Sequence, residues 1–140
     1  MPATTQSNKK LIERTCDAIN EKDRETFMGL QDPDIVHYQG PAVLHGVEAV
    51  TDQVWSALEA FPDLTLTPEA TLAEDEMVAL RYTATGTHRG ELNGLKPTGK
   101  EFRISEMKMY RVKDGKVAEV WAAPDQLGLL TQLGFVEPPE

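Results

Sequence analysis

The chain has 140 residues, 40% hydrophobic and 26% charged, which is the composition of a folded globular domain and not of a disordered chain. Twenty-three acidic against fourteen basic residues give a net charge of −9, which argues against nucleic acids and anionic membranes as partners, because both are bound through clustered Lys and Arg. We expect one domain over residues 1–140. Because no apolar run approaches the roughly 20 residues of a membrane span and no signal peptide is evident, we also expect a cytoplasmic protein.

Helical spacing of apolar side chains dominates the first sixty residues. A first helix is predicted by a stripe of four apolar residues: Leu11, Ile12, Cys16 and Ile19. Cys16 is the only cysteine, and we expect it to be buried as a free thiol. Asp23 is placed to cap a short second helix that continues through Leu30. A third helix is predicted by a second stripe: Val47, Val50, Val54 and Leu58.

Extended segments are predicted around and after the third helix. Residues 35–39 form a short predicted strand, which follows the helix-breaking pair Asp32-Pro33 and ends at Gly40-Pro41. From residue 64 the hydrophobic period changes to two, and residues 77–88 are rich in β-branched and aromatic side chains. Helices followed by a run of antiparallel strands predict an α+β fold.

A tight hairpin is predicted at Asp114-Gly115, because this pair suits the positive φ angles of a two-residue type I′ turn. Pairing outward from the turn sets three pairs: Val112 with Val117, Tyr110 with Glu119 and Lys108 with Trp121. One face of the hairpin would then carry Glu106, Lys108, Tyr110, Glu119 and Trp121. The other face would pack as an apolar surface made of Met107, Met109, Ala118, Val120 and Ala122.

Asp125 stands where the last predicted strand becomes a short final helix, residues 126–133, which ends at Gly134. The residues just before it are apolar, and an apolar setting moves a carboxyl group towards the pKa range of a general base. The alternative is that Asp125 caps the final helix by accepting hydrogen bonds from the amides of its first turn, which would have the opposite effect. The residues alone leave both roles open.

Trp121, Glu106 and His88 are candidates for contact with a small ligand. Trp121 would either wall a cavity or lie in the core or a dimer interface. If it faces a cavity, we expect Glu106 and Lys108 to face it too or to lie at its rim. His88 ends a strand beside a glycine-rich loop, where it would either donate to a substrate carbonyl or assist Asp125, or else be exposed to solvent in a turn.

Arg81 and His37 are two further candidates. Arg81 interrupts an apolar strand and needs a carboxylate partner, either in a substrate or in an internal salt bridge. Of His37 and Tyr38, which point to opposite faces of a strand, we expect His37 to point inward. The three histidines lack the i, i+4 spacing of a helical metal pair, and the chain has no nucleotide-binding loop or paired-cysteine motif, so we expect no metal and no cofactor.

Five short motifs carry a family resemblance: G-T-H-x-G, P-T-G-K, R-V-x-D-G-K, E-x-W and D-x-x-G-L-L-x-Q-L-G, all within residues 86–134. They resemble those of the SnoaL-like polyketide cyclases, also called ester cyclases, which have the nuclear-transport-factor-2-like fold. The resemblance implies an α+β cone in which N-terminal helices pack on a strongly curved, mainly antiparallel sheet with a short C-terminal helix. Many members carry a polar residue, often histidine, where this chain has Val120.

The resemblance implies an enzyme that catalyses an intramolecular aldol condensation, with Asp125 as general acid and base. It also implies a small hydrophobic polyketide-like ligand and a homodimer. Two other functions stay open: an isomerase or dehydratase similar to ketosteroid isomerase, which would need a tyrosine donor from Tyr38, Tyr82 or Tyr110, and a ligand-binding module without turnover.

Overall fold

The computed structural model describes residues 4–138, which form four helices and six strands. In chain order these are α1 (Thr5–Asn20), α2 (Arg24–Gly29), β1 (Gln31–Gln39), β2 (Ala42–His45), α3 (Val47–Ala60), β3 (Thr65–Glu74), β4 (Met77–Thr87), β5 (Glu101–Lys113), β6 (Lys116–Ala123) and α4 (Gln126–Gln132). No helix in this described part is long and apolar enough to cross a membrane.

The six strands form one curved sheet in the order β2-β1-β6-β5-β4-β3. All neighbouring strands run antiparallel except β1 and β6, which are parallel, so the predicted mainly antiparallel α+β architecture is confirmed. Helices α1 and α3 contact one side of this sheet. The parallel pairing brings His37 opposite Val120 and so joins the first third of the chain to the last.

The predicted helices form because their apolar stripes pack against a common core. The α1 stripe, including Cys16, is buried, and a reciprocal capping box between Thr4 and Ser7 begins the helix. In α3, Val50 and Leu58 are buried while Val54 is only partly covered. Asp23 caps α2 through the amide of Thr26, as predicted.

The ends of the elements differ from the prediction in β1 and β2. Strand β1 begins at Gln31, before Pro33, because an irregularity between Gln31 and Val36 accommodates the proline. Strand β2 was not predicted; it pairs only with β1, at the edge of the sheet. The short α4 ends as predicted: Gly134 has a φ of 88°, and Phe135 donates to Leu130, which closes a Schellman motif.

The predicted hairpin turn is confirmed, but the pairing beyond it is not. Asp114 and Gly115 have φ values of 51° and 75°, as a type I′ turn requires. Val112 pairs with Val117, yet Ala118 has no partner on β5 and the next pair is Arg111 with Glu119. This one-residue bulge reverses which side chains of β6 face inward from Glu119 onward.

Candidate active site

A cavity of about 200 Å³ lies between the inner face of the sheet and the helices. Its wall is mainly apolar, formed by residues such as Val54, Phe61, Leu66, Phe102 and Ile104. The loop between β4 and β5 contributes Leu92 and Asn93, and α4 contributes Leu129. The polar groups on the wall are few: His37, Gln39, Gln53, Tyr82, Asn93, Glu106, Lys108, Asp125 and Gln126. A small, largely apolar ligand with a few oxygen atoms fits such a site.

Asp125 lies on the wall of this cavity and also caps α4. Its Oδ1 atom accepts a hydrogen bond of 2.9 Å from the backbone amide of Gly128, and the carboxylate is exposed. The absence of a side chain at Gly128 leaves room for this contact, because a Cβ atom there would occupy the space of the Asp125 carboxyl group. The two roles predicted as alternatives, helix cap and cavity carboxylate, therefore occur in the same side chain.

Glu106 is a second carboxylate on the cavity wall, close to Asp125. Its Oε1 accepts a hydrogen bond of 3.2 Å from the Tyr82 hydroxyl. Burial raises the pKa of Glu106, while Lys108, the Tyr82 hydroxyl and the backbone amide of Asp125 partly oppose that rise. Burial also raises the pKa of Tyr82, and the negative charge of Glu106 adds to it. Two carboxyl groups in different surroundings, one exposed and one half-buried, thus share the cavity.

His37 and Lys108 line the deeper part of the cavity. His37 is only 6% exposed, and neither of its ring nitrogens has a hydrogen-bond partner among residues 4–138. Burial lowers the pKa of His37 to about 4, with a contribution from the positive charge of Lys108, so the imidazole is neutral at pH 7. Burial likewise lowers the pKa of Lys108, and the negative charge of Glu106 offsets part of this. The prediction that His37, and not Tyr38, points inward agrees with this placement.

Trp121 does not line the cavity, which corrects the predicted pairing. The bulge at Ala118 pairs Trp121 with Met109, on the outer face of the sheet, where its ring stacks on Tyr38 at 5.6 Å between centroids. Glu119 also lies on that face and binds Arg111 at 2.6 Å. Glu106 and Lys108 were linked to Trp121 in the prediction, and they face the cavity although Trp121 does not.

Arg81 is also on the outer face. Strand β4 alternates from Met77 to Gly86, so the buried Leu80 and Tyr82 point inward and Arg81 points outward into solvent. Neither predicted partner is seen: Arg81 is absent from the cavity wall and forms no salt bridge within the described residues. An exposed arginine at a sheet surface needs no partner, because water solvates its charge.

His88 is buried behind the cavity wall and not on it. Its ring lies between Phe61 and Phe135, at centroid distances of 5.7 and 5.8 Å, and is fully covered. Its Nδ1 accepts a hydrogen bond of 3.3 Å from the backbone amide of Thr98. Both predicted settings, ligand contact and a solvent-exposed turn, are therefore wrong. No local pattern indicated that Phe135, beyond the last helix, would cover this ring.

Tyr82 and Gln53 also line the cavity; Tyr82 was predicted only as one of three tyrosine donors for an isomerase, and Gln53 was not predicted. Tyr82 was signalled by its alternation with Leu80, which places both on the inner face of β4. Gln53 precedes Val54 on α3, and a polar residue beside an apolar stripe is too common to have marked a site. Within residues 4–138 no group of three or more His, Cys, Asp or Glu side chains is arranged to hold a metal ion.

Comparison with known proteins identifies relatives along nearly the whole chain. The family model described as SnoaL-like polyketide cyclase matches residues 9–133. An aklanonic acid methyl ester cyclase from Streptomyces peucetius is 29% identical over 106 residues, which cover 71% of this chain and 73% of that protein. A nogalonic acid methyl ester cyclase from Streptomyces nogalater is 31% identical over 104 residues, 69% of this chain and 77% of that protein.

A crystal structure of similar shape is that of a proposed hydroxylase from Streptomyces galilaeus. It superposes with a TM-score of 0.88 at 34% sequence identity, covering 98% of this chain and 87% of that one. The family match runs from within α1 to the end of α4, and it includes Glu106 on β5 and Asp125 at the start of α4. The chain therefore belongs to the SnoaL-like polyketide cyclase family.

Proposed function

We propose that this protein is a polyketide ester cyclase that closes a ring by intramolecular aldol condensation without a cofactor, with Asp125 as general base and then general acid. The observation that carries the proposal is the Asp125 carboxylate at an otherwise mainly apolar cavity. Its Oδ1 is fixed by the Gly128 amide, and its Oδ2 has no hydrogen-bond partner within residues 4–138. A carboxylate oriented in this way presents one oxygen for proton transfer.

The intramolecular aldol condensation requires one base and a cavity that holds the substrate in a reactive conformation. Asp125 removes a proton from a carbon between two carbonyl groups, and the resulting enolate attacks a third carbonyl carbon of the same molecule. A carbon–carbon bond forms, the attacked carbonyl becomes an alkoxide, and the protonated Asp125 returns the proton to it. Holding both ends of the substrate in one cavity supplies much of the rate, because the reaction becomes a positioned intramolecular step.

Glu106 and Tyr82 suit a supporting role in this reaction. Because burial raises the pKa of Glu106, its protonated form is favoured relative to a carboxyl group in water. A protonated Glu106 would donate a hydrogen bond to a substrate carbonyl while Asp125 acts as the base. Two carboxyl groups whose surroundings differ often divide the roles of acid and base in this way.

The test is turnover with the ester substrates that name the two relatives, aklanonic acid methyl ester and nogalonic acid methyl ester. An intramolecular aldol product has the mass of its substrate, so chromatographic retention and the ultraviolet spectrum identify it. We expect Asp125→Asn to lower kcat by about 10²–10⁴-fold, the range for loss of a general base. Its thermal stability should change little, because Asn also caps helices. Glu101→Gln removes an exposed carboxylate from the same sheet and should leave kcat unchanged.

Outcomes other than loss of turnover in Asp125→Asn separate the alternatives. If Asp125→Asn retains activity and Glu106→Gln loses it, the base is Glu106 and the assignment of Asp125 is wrong. If the wild-type protein binds both esters and returns them unchanged, a binding module without turnover is favoured. An isomerase has one specific observation in its favour: of the three tyrosines only Tyr82 lines this cavity, as a donor to a developing oxyanion would. Conversion of a β,γ-unsaturated ketone to its conjugated isomer would support it.

We also propose that the outer face of the sheet forms a homodimer interface. Large apolar side chains are exposed there: Leu72 is 71% exposed, Met107 60%, Met109 46% and Trp121 38%. They lie on β3, β5 and β6 and line one shallow depression together with Ala70 and Ala123, with β4 between β3 and β5. Contiguous apolar surface of this kind marks interaction sites in proteins that otherwise present polar surfaces.

A further inference from the structure

The inner end of the cavity holds polar atoms that the aldol mechanism described above does not use. His37 is more than nine-tenths buried, and both of its ring nitrogens lack a partner within residues 4–138. Buried polar side chains without partners are rare in folded proteins, because the hydrogen bonds lost from water are not replaced. His37 lines both the main cavity and a smaller space of about 30 Å³ next to it, so part of its buried ring borders open volume.

The sheet register places Lys108 beside His37 on the same inner face. Lys108 pairs with Ala122 across β5 and β6, and His37 pairs with Val120 across β1 and β6. The two intervening side chains are small, so the longer side chains on either side of them share the space above β6. Both side chains also line the same smaller space, and the positive charge of Lys108 contributes to the lowered pKa of His37.

Lys108 is the basic side chain at this end, and the negative charge of Glu106 offsets part of the effect of its burial. It forms no salt bridge within residues 4–138, and its ammonium lies 5.4 Å from the centre of the Tyr82 ring. Glu106, the nearest acid along the strand, directs its Oε1 to the Tyr82 hydroxyl and makes no direct ion pair with Lys108 within residues 4–138. The other titratable groups around this end, Cys16 and Tyr110, have pKa values raised by burial, to about 11 for Cys16, and are neutral at pH 7.

We propose that Lys108 and His37 form a subsite for an oxyanion of the ligand, at the inner end of the cavity. The proposal rests on the proposed function in that the same cavity holds the substrate. Lys108 supplies the charge, and the neutral imidazole of His37 donates one N–H bond. Two kinds of oxyanion fit this subsite. One is a carboxylate that the ligand already carries, and the other is the enolate oxygen that forms when Asp125 removes a proton. In the second case, Lys108 and His37 stabilise the charge as it develops.

Three rigid aromatic probes of similar shape test the subsite: naphthalene, 2-naphthoate and 2-naphthol. We expect the wild-type protein to bind 2-naphthoate about 10–100-fold more tightly than naphthalene, the range for a hydrogen bond to a charged group. Lys108→Met, of similar length without charge, should reduce that ratio to about one while the Kd of naphthalene changes little. Arg81→Met removes a cation from the outer face and should leave the ratio unchanged.

The two oxyanion sources are distinguished by 2-naphthol. If the subsite serves a developing enolate, 2-naphthol should bind as its anion at a pH where it is neutral in water, which its red-shifted absorption reports. If only 2-naphthoate gains affinity, the subsite serves a carboxylate that the ligand already carries. Equal binding of 2-naphthoate and naphthalene to the wild-type protein, or an unchanged ratio in Lys108→Met, would overturn the proposal.

Two variants keep the test decisive. His37→Phe should lower the ratio without removing the charge of Lys108, which guards against a folding defect in Lys108→Met. Asp125→Asn should not lower the ratio, because it leaves the inner end intact. Since the probes are unreactive, the subsite is tested even if neither ester is cyclised, and failure of the cyclase proposal would leave this result standing.

Discussion

Replacement of His37 by Phe should remove a pH-dependent part of the stability of this protein. His37 is 6% exposed and has no hydrogen-bond partner within residues 4–138, so its charged form has no compensation in the fold. Its pKa is lowered from 6.5 to about 4, because burial disfavours the charge and Lys108 adds repulsion. Between pH 6.5 and about pH 4, His37 therefore binds a proton in the unfolded chain but not in the folded chain.

The sign and size of the effect follow from that difference in proton binding. Stability falls as the pH falls from 6.5 to 4, because the unfolded state binds more protons over that range. A difference of 2.5 between the two pKa values corresponds to a loss of about 3 kcal/mol at pH 4, of which about 2 kcal/mol is lost by pH 5. Glu106, whose pKa is raised, has the opposite effect, which favours the fold as the pH falls. The wild-type protein is therefore compared with His37→Phe, which also contains Glu106, so that the contribution of Glu106 cancels.

The assay is urea unfolding of the wild-type protein and His37→Phe, at one protein concentration, at half-unit steps from pH 4.5 to pH 7.5. The difference between their free energies of unfolding should shift by about 2 kcal/mol in favour of His37→Phe between pH 7 and pH 5. His45→Phe is the control, because His45 is exposed on β2 and should give parallel curves. If His37→Phe also runs parallel to the wild-type protein, His37 is not held neutral in the fold and the reasoning is wrong.

Two further substitutions test the cavity rim and the outer face. Gly128→Ala should lower turnover at least tenfold, because the added Cβ displaces the Asp125 carboxyl group, and it should not give the gain of up to about 1 kcal/mol expected for Ala over Gly in a helix. Gly29→Ala, where a Cβ meets nothing within 4 Å, is the control, and full activity in Gly128→Ala would contradict the assigned geometry. Met107→Lys should shift the protein from dimer to monomer in sedimentation velocity, whereas Ser56→Lys on α3 should not; a wild-type monomer would refute the proposed interface.

Local patterns predicted the elements well because each pattern reflects one short stretch of backbone. The apolar stripe of α1 and the alternation of β4 have the periods of a helix and a strand, and both elements are present. Asp114-Gly115 and Gly134 were predicted from the backbone angles they permit, and each adopts positive φ. Asp125 was recognised from its position between a strand and a helix, and it lies at the cavity as a helix cap.

The faces of β6 could not be predicted, because they depend on a single unpaired residue. Ideal pairing outward from the turn placed Trp121 opposite Lys108, and the bulge at Ala118 moved it opposite Met109. A shift of one residue exchanges the inner and outer faces of a strand, so one local irregularity removed Trp121 from the cavity wall. Nothing in the local sequence Val117-Ala118-Glu119-Val120 marks this bulge.

The sequence by itself determined the α+β class, the family, the order of the main elements and the carboxylate at the last strand–helix joint. Only the tertiary structure decided which polar groups meet: His37 from β1 beside Lys108 from β5, Glu106 beside Tyr82, and His88 covered by Phe135. The physical reason is the range of the interactions. Periodicity and turn chemistry act over a few residues, whereas strand register and burial depend on pairing between segments about eighty residues apart, such as β1 and β6.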